Sequence, residues 1–377
     1  MRIALDGLPL CQLLTGIGHY TFELAQHLAA VNPDDCVDVV SPRSFVTSLP
    51  VSQTSVNLRL LTPTRNPILR YWWTTALPQY LKRNDVAVFH GTNYQMPRRA
   101  NCATVVTIHD LSTLLVPHTH EFQNAARARK RLPAMAAGAT VVITPTECVR
   151  QEVHERLSIP LERIRAIPEA ARRLVQDNTR PSNIKTSFGI RDGFVLYVGT
   201  VEPRKNLLAL IQAFEQLPDR HGRLQLVIAG KTGWLVNDLF DYVRRSLTND
   251  RVIFTGYVSD PDLACLYASC GLFVYPSIYE GFGLPPLEAM AAGAPVIASR
   301  IPTAEEVLGS AAWLVEPVPE AIRGAIVRLL DDKELRAEFT EAGKLHTARF
   351  SWEQAAARVR EVYVEAVDRF AAENRRG

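Results

Sequence analysis

The sequence predicts an α/β protein made of two doubly wound, Rossmann-like domains, and three observations predict it. The chain has 377 residues, more than one hydrophobic core holds, since cores stop growing near ~250 residues. Short runs of Val, Ile, Ala and Phe alternate with helical patterns along most of its length. That alternation halts in "IRAIPEAARRLVQDNTRPSNIKTSFGIRDG" and then begins again. Strands that are apolar throughout belong in parallel sheets covered on both faces by helices.

The elements follow in order. In the first half "RIALDG", "CVDVVS", "VAVFHG", "TVVTIHD" and "TVVITPT" read as strands. "TFELAQHLAAV" and "TECVRQEVHERLS" read as helices, the second with Thr146 as its N-cap. Pro168, Pro181, Gly189 and Gly193 mark the halt. We place a first domain at 1–170, a linker at 171–192 and a second domain at 193–350. The second domain reads as strands "FVLYVGT", "LQLVIAG", "RVIFTGY", "LFVYPS", "PVIAS" and "AAWLVEP", joined by helices such as "NLLALIQAFEQL", "DPDLACLYASC" and "PEAIRGAIVRLLDD". "SWEQAAARVREVYVEAVDRF", in 351–377, reads as an amphipathic helix at the domain junction.

Hydrophobic residues make up 47% and charged residues 21%, with a net charge of +3, which describes a soluble globular protein without the basic footprint of a nucleic-acid binder. Residues 1–170 hold 17 Lys and Arg against 13 Asp and Glu. Part of that excess is "ARARKR", Ala126 to Arg131, on a helix that reads either as a solvated face or as a contact for anionic lipid. Asp6 interrupts the apolar start, so a signal peptide is not expected, and no run reaches the ~20 apolar residues of a membrane span. The expected location is cytoplasmic, with peripheral contact at the inner face of the plasma membrane as the variant. The 6 cysteines form no CxxC pair and read as small buried hydrophobes in a reducing compartment. No metal or cofactor is expected.

In open parallel sheets, ligands bind beyond the C-terminal ends of the strands, and chemistry-bearing residues collect there. After "LFVYPS" comes "EGFGLPPLEAMAAG". Pro285 and Pro286 suit the first turn of a helix, where an amide hydrogen is orphaned anyway. Gly281, Phe282, Gly283 and Leu284 then form a turn whose N–H groups, with the helix dipole, suit a diphosphate or sugar hydroxyls. Glu288, in the first helical turn, and Glu280, before the turn, are expected to face one pocket; alone, either acid reads equally as a dipole complement or a solvated side chain. Arg204 and Lys205 precede the helix after "FVLYVGT" and outline an anion site. Gly16 and Gly18 lack the spacing of a dinucleotide fingerprint and read as a mobile loop before a helix. His109 ends a strand, where a buried, uncharged imidazole suits a substrate hydroxyl; His90 ends another. Tyr257, after Gly256, reads as a platform for a flat base or as a core tyrosine.

Together these residues resemble the retaining glycosyltransferases of family 4, which have the GT-B fold of two Rossmann-like domains facing across a cleft. The resemblance spans nearly the whole chain. Its most specific part is the pair Glu280 and Glu288 around "GFGLPP", supported by "VEPRKN", "FTGYVSDPDL", "TIHDL" and "GIGHY". It implies that Arg204 and Lys205 neutralise the donor diphosphate and that the amides of Phe282, Gly283 and Leu284 hold sugar hydroxyls and phosphate. Glu280 would fix the transferred sugar, Glu288 the ribose, and His109 would touch the sugar near its reacting carbon. The Gly16–Gly18 loop would close near the diphosphate and acceptor, and Val258 would meet the nucleobase through its backbone. Many members carry Asn-Gly where "IPEAA" has Glu169 and Ala170, and a basic residue where this chain has Thr200. The style of "TIHDL" and "VEPRKN" is similar to the mannosyltransferase-rich subgroup that builds bacterial surface polysaccharides, which implies GDP-mannose as donor and a saccharide or lipid-linked oligosaccharide as acceptor. A UDP-sugar transferase, a phosphorylase or epimerase, and a silent nucleotide-sugar sensor are the alternatives; a nicotinamide enzyme is disfavoured by the missing fingerprint.

Overall fold

A computed structural model describes residues 1–46, 58–63, 68–174 and 183–375. The middle of the expected linker, 175–182, lies outside the described residues. The chain divides into two compact units: 1–111 with 127–169 and 350–377, and 112–126 with 170–349. Two stretches thus group otherwise than a simple reading along the chain gives. Residues 112–126 belong with the second unit, and the C-terminal helix with the first.

The first unit holds seven strands among the described residues: β1 (Arg2–Asp6), β2 (Cys36–Val40), β3 (Leu58–Leu61), β4 (Val88–Gly91), β5 (Ala103–Thr107), β6 (Val141–Thr144) and β7 (Ile164–Ala166). They pair in the order β3-β2-β1-β4-β5-β6-β7, every pair parallel. β4, β5 and β6 are buried residue by residue, as strands covered on both faces must be. The sequence reading missed β3 and β7, the two edges, whose short runs "LRLL" and "IRA" carry arginines. Helix Trp352–Asn374 packs on helix Gly16–Val31 and on β5. Arg360 pairs with the buried Asp35 at 2.6 Å, and Arg165 with Glu365 at 2.7 Å, fastening that helix to the chain's beginning and to β7.

The second unit holds β8 (Val195–Val198), β9 (Leu226–Ala229), β10 (Val252–Gly256), β11 (Leu272–Tyr275), β12 (Val296–Ser299) and β13 (Trp313–Val315). The order is β10-β9-β8-β11-β12-β13, again all parallel. Counted from β8 this is 3-2-1-4-5-6, the dinucleotide-domain order, with its switch point between β8 and β11. The segment 112–126 is tied in by Trp234, whose indole N–H donates to the Thr119 carbonyl at 2.8 Å and whose ring stacks on His120 at 5.6 Å. Among the described residues no helix is long and apolar enough to cross a membrane.

Candidate functional site

Both strands at the second unit's switch point end in charged residues that meet. After β8 the chain makes a short turn, Pro203–Lys205, and enters helix Leu207–Glu215 through Asn206, a non-glycine residue at φ 54°. After β11 it runs through Ser277 to Glu280 and the turn before helix Leu284–Ala291. The two loops are stitched together by the Ile278 N–H, which donates to the Arg204 carbonyl at 3.0 Å. Lys205 Nζ lies 2.5 Å from Glu280 Oε1 and donates to the Tyr275 hydroxyl at 3.0 Å. Arg204 Nη1 reaches Glu280 Oε2 and the Tyr279 carbonyl, both at 3.0 Å, while Nη2 reaches Glu202 Oε1 at 2.9 Å. Arg204, Lys205 and Glu280 are thus brought together, and the turn 281–284 continues from Glu280.

Four formal charges, two of each sign, share this buried cluster. Burial raises the Glu280 carboxyl, but Lys205 and Arg204 outweigh it and hold it below the ordinary range. Burial, then Arg204, push the Lys205 ammonium down. Buried ion pairs contribute little net stability over apolar packing, so stability alone does not account for such an arrangement. Added negative charge would restore the lysine's basicity.

The helix start is shaped as expected. Gly283, its N-cap, sits at φ 90°, where an L side chain is strained. Of the first four N–H groups, which lack intrahelical partners, Pro285 and Pro286 remove two; Gly283 and Leu284 carry the others. Phe282 is buried beside them. Glu288 departs from expectation. It falls in the second turn, not the first, and belongs to a different cluster from Glu280. Arg172 Nε meets Glu288 Oε1 at 2.6 Å and Nη2 meets Oε2 at 3.3 Å, while the Tyr267 hydroxyl donates to Oε2 at 3.1 Å. Arg172 Nη1 also reaches Asp260 at 2.9 Å. The two acids therefore stand in separate ion pairs. Tyr257, after the left-handed Gly256, is half-exposed; burial and then Asp260 raise its phenol, with Arg172 opposing. Val258 follows it and leads to Ser259, the N-cap of helix Asp260–Ser269. Arg172 was missed from the sequence, where "EAARR" gives no sign that one arginine will meet an acid 116 residues away.

The first unit changes two expectations. Gly16 and Gly18 lie in the first turn of helix Gly16–Val31, not in a loop before it; Thr15 is the N-cap. A Cβ at Gly18 would meet Leu14 Cδ2 at 3.0 Å and the Pro9 carbonyl oxygen at 3.2 Å, whereas Gly16 has open space. Close packing explains the second glycine. His109 is not an imidazole left open to a hydroxyl. Nδ1 lies 3.0 Å from Glu169 Oε1 and Nε2 lies 2.9 Å from the Thr92 carbonyl oxygen. A carbonyl oxygen only accepts, and the acid beside Nδ1 draws a proton to that nitrogen too, so the pairing favours the cationic ring. Burial works against that charge, but Glu169 outweighs it and holds the imidazole above its usual value. Glu169, noted only as a departure from Asn-Gly, is its partner. Tyr20 meets the ring edge-on at 4.6 Å. His90 is a core residue: fully buried between the Tyr363 hydroxyl at 2.7 Å and Thr107 Oγ1 at 2.8 Å, and pushed by burial down to about 3.

Comparison with known proteins agrees with this architecture. Residues 14–171 match the family model "Glycosyltransferase Family 4" and residues 181–346 match "Glycosyl transferases group 1". The chain is 32% identical over 369 residues to O-antigen chain mannosyltransferase B of Escherichia coli, covering 94% of this chain and 97% of that one. It is 33% identical over 225 residues to the serotype-specific mannosyltransferase WbdA of the same organism, which covers 57% of this chain and 27% of that longer one. Sucrose-phosphate synthase from Thermosynechococcus elongatus shares the fold over 99% of this chain and 100% of its own, with TM-score 0.78 and 23% identity.

Proposed function

The chain belongs to the glycosyltransferases of family 4, and from that premise we propose that it moves mannose from GDP-mannose to a saccharide or lipid-linked oligosaccharide during surface polysaccharide synthesis, with retention and without a metal. The observation that carries this reading is the convergence of Arg204 and Lys205 on Glu280 at the switch point, next to the Gly283 and Leu284 amides. A leaving nucleoside diphosphate gains negative charge as the bond from its β-phosphate oxygen to the anomeric carbon breaks. Two preformed cations and a helix start meet that charge without reorganising. The acceptor hydroxyl bonds to the same face of the sugar, and its proton passes to the departing phosphate oxygen.

Glu280 supports this mechanism as a positioned acceptor for sugar hydroxyls. With each carboxylate oxygen already bonded to a cation, it is a poor nucleophile for the double displacement used by retaining glycosidases. Glu288, held by Arg172, suits the ribose hydroxyls, with Tyr257 and Val258 toward the base. His109 takes its place near the reacting carbon with its ring held above its usual basicity by Glu169; its paired nitrogens leave no acceptor for a hydroxyl. The exposed face of helix Phe122–Gly138, with Arg127, Arg129, Lys130, Arg131 and the 87% exposed Phe122, suits peripheral contact with anionic lipid; flotation with anionic vesicles that shows no salt-sensitive binding would remove that part.

The test is a melting-temperature comparison with GDP and with UDP, followed by product analysis of GDP-mannose with a mannose-terminated acceptor in the presence of a chelator. A rise with GDP and an α-linked product are expected. A rise with UDP alone moves the donor to a UDP-sugar, and no rise with either nucleotide overturns the reading.

A further inference from the structure

The loop that presents Glu280 encloses a small cavity that its own charges do not explain. Its walls include Ser277, Ser299, Glu280 and Phe282, closed by Ala304 and Leu308, and its volume is about 10 Å³, the size of one water molecule. Ser277 is 0% and Ser299 2% exposed, and neither Oγ makes a direct hydrogen bond. Native structures rarely leave one buried hydroxyl unpaired. Here two, Ser277 from the loop after β11 and Ser299 at the end of the adjacent β12, line the same cavity. The Ser277 hydroxyl stands close enough to the Glu280 carboxyl to help hold it down, though without the geometry of a direct bond.

We propose that Ser277 and Ser299 hold one buried water against Glu280 and are positioning residues, fixing its carboxylate between Lys205 and Arg204. The water accepts from one serine, bridges to the other and donates to Glu280, which gives all three groups a partner in one step. This rests on the transferase reading for its kinetic consequence, but the water itself does not.

Two measurements test it. A crystal structure of the whole chain at high resolution should show one water about 3 Å from both Oγ atoms and from Glu280; a dry cavity, or hydroxyls turned to backbone carbonyls, overturns the proposal whether or not the chain transfers mannose. In the mannosyl-transfer assay, Ser299→Val fills the cavity and expels the water. We expect kcat to fall about tenfold with donor KM within twofold, and the acid limb of the kcat profile to move to higher pH as Glu280 loses a donor. Ser299→Ala, which leaves room for the water, should retain most of the activity. A valine variant with wild-type kcat and an unmoved acid limb overturns the proposal. Should that variant fail to fold, Ser277→Val, which fills the same cavity from the other side, decides in its place when read by the same pH profile.

Discussion

The two sheets share a strand order and differ in what they gather at the switch point. At the ends of β8 and β11, two cations and two acids form a buried ionic cluster: Arg204, Lys205, Glu202 and Glu280. At the ends of β1, β4 and β5 the chain collects hydroxyls and one histidine–carboxylate pair: Thr21 on Thr92 at 3.0 Å, Thr92 on the Asp6 carbonyl at 3.1 Å, and His109 on Glu169. One topology thus gathers two cations and two acids beside a helix start, and the other gathers one histidine–carboxylate pair among hydroxyls. The difference lies in the loops and not in the strands.

The largest effect is expected where that contrast is strongest. Lys205→Ala should lower kcat by roughly 10³-fold and Glu280→Ala by roughly 10²-fold in the mannosyl-transfer assay, because each removes charge placed for the transition state; rates near wild type for both would erase the distinction between the sheets. Glu288→Gln should act on binding, raising donor KM about tenfold with little change in kcat. Combined with Arg172→Met it should show non-additive losses, since Arg172→Met leaves the buried Glu288 without its cation while Glu288→Gln leaves Arg172 only Asp260.

The first unit should respond to pH instead. Its His109 is raised, so the stability it contributes is complete below about 6.5 and lost as pH climbs through the raised value. Asp6, pushed up to about 7 by burial against the opposing Leu8 N–H, works in the same direction over this window. The melting temperature should therefore fall by roughly 2–5 °C between pH 6 and pH 8, and Glu169→Gln should flatten the slope in calorimetry. The smallest effect separates the two helix glycines: Gly18→Ala should destabilise by about 1–2 kcal/mol against the Pro9 carbonyl, whereas Gly16→Ala should stabilise by about 0.5 kcal/mol, both read by denaturant titration.

Legibility in the sequence followed the range of the interaction. Buried runs such as "VVIT" and "LFVY" announce strands because a strand covered on both faces needs nothing but apolar residues. β3 and β7 did not, since an edge strand borrows its conformation from one neighbour and tolerates Arg59 or Arg165. Pro285 and Pro286 marked their helix start because proline's effect is local, while Gly16 and Gly18 misled for the same reason: glycine signals a turn, and the approach of Leu14 and Pro9 explains the place of Gly18 in a helix. The Glu280 cluster was legible as a motif. The partners that set the state of Glu280 and of His109 come from 60 to 76 residues away, a distance over which no periodicity runs.

The backbone hydrogen bond from Ile278 to the Arg204 carbonyl, with the side-chain bonds beside it, bears on how such enzymes diversify. Because the basic turn and the acidic loop share it, neither can drift or be transplanted alone without leaving its counterpart misaligned. Engineers seeking a new sugar preference should graft 203–206 and 277–284 as one cassette, and natural recombination that splits them should yield inert offspring.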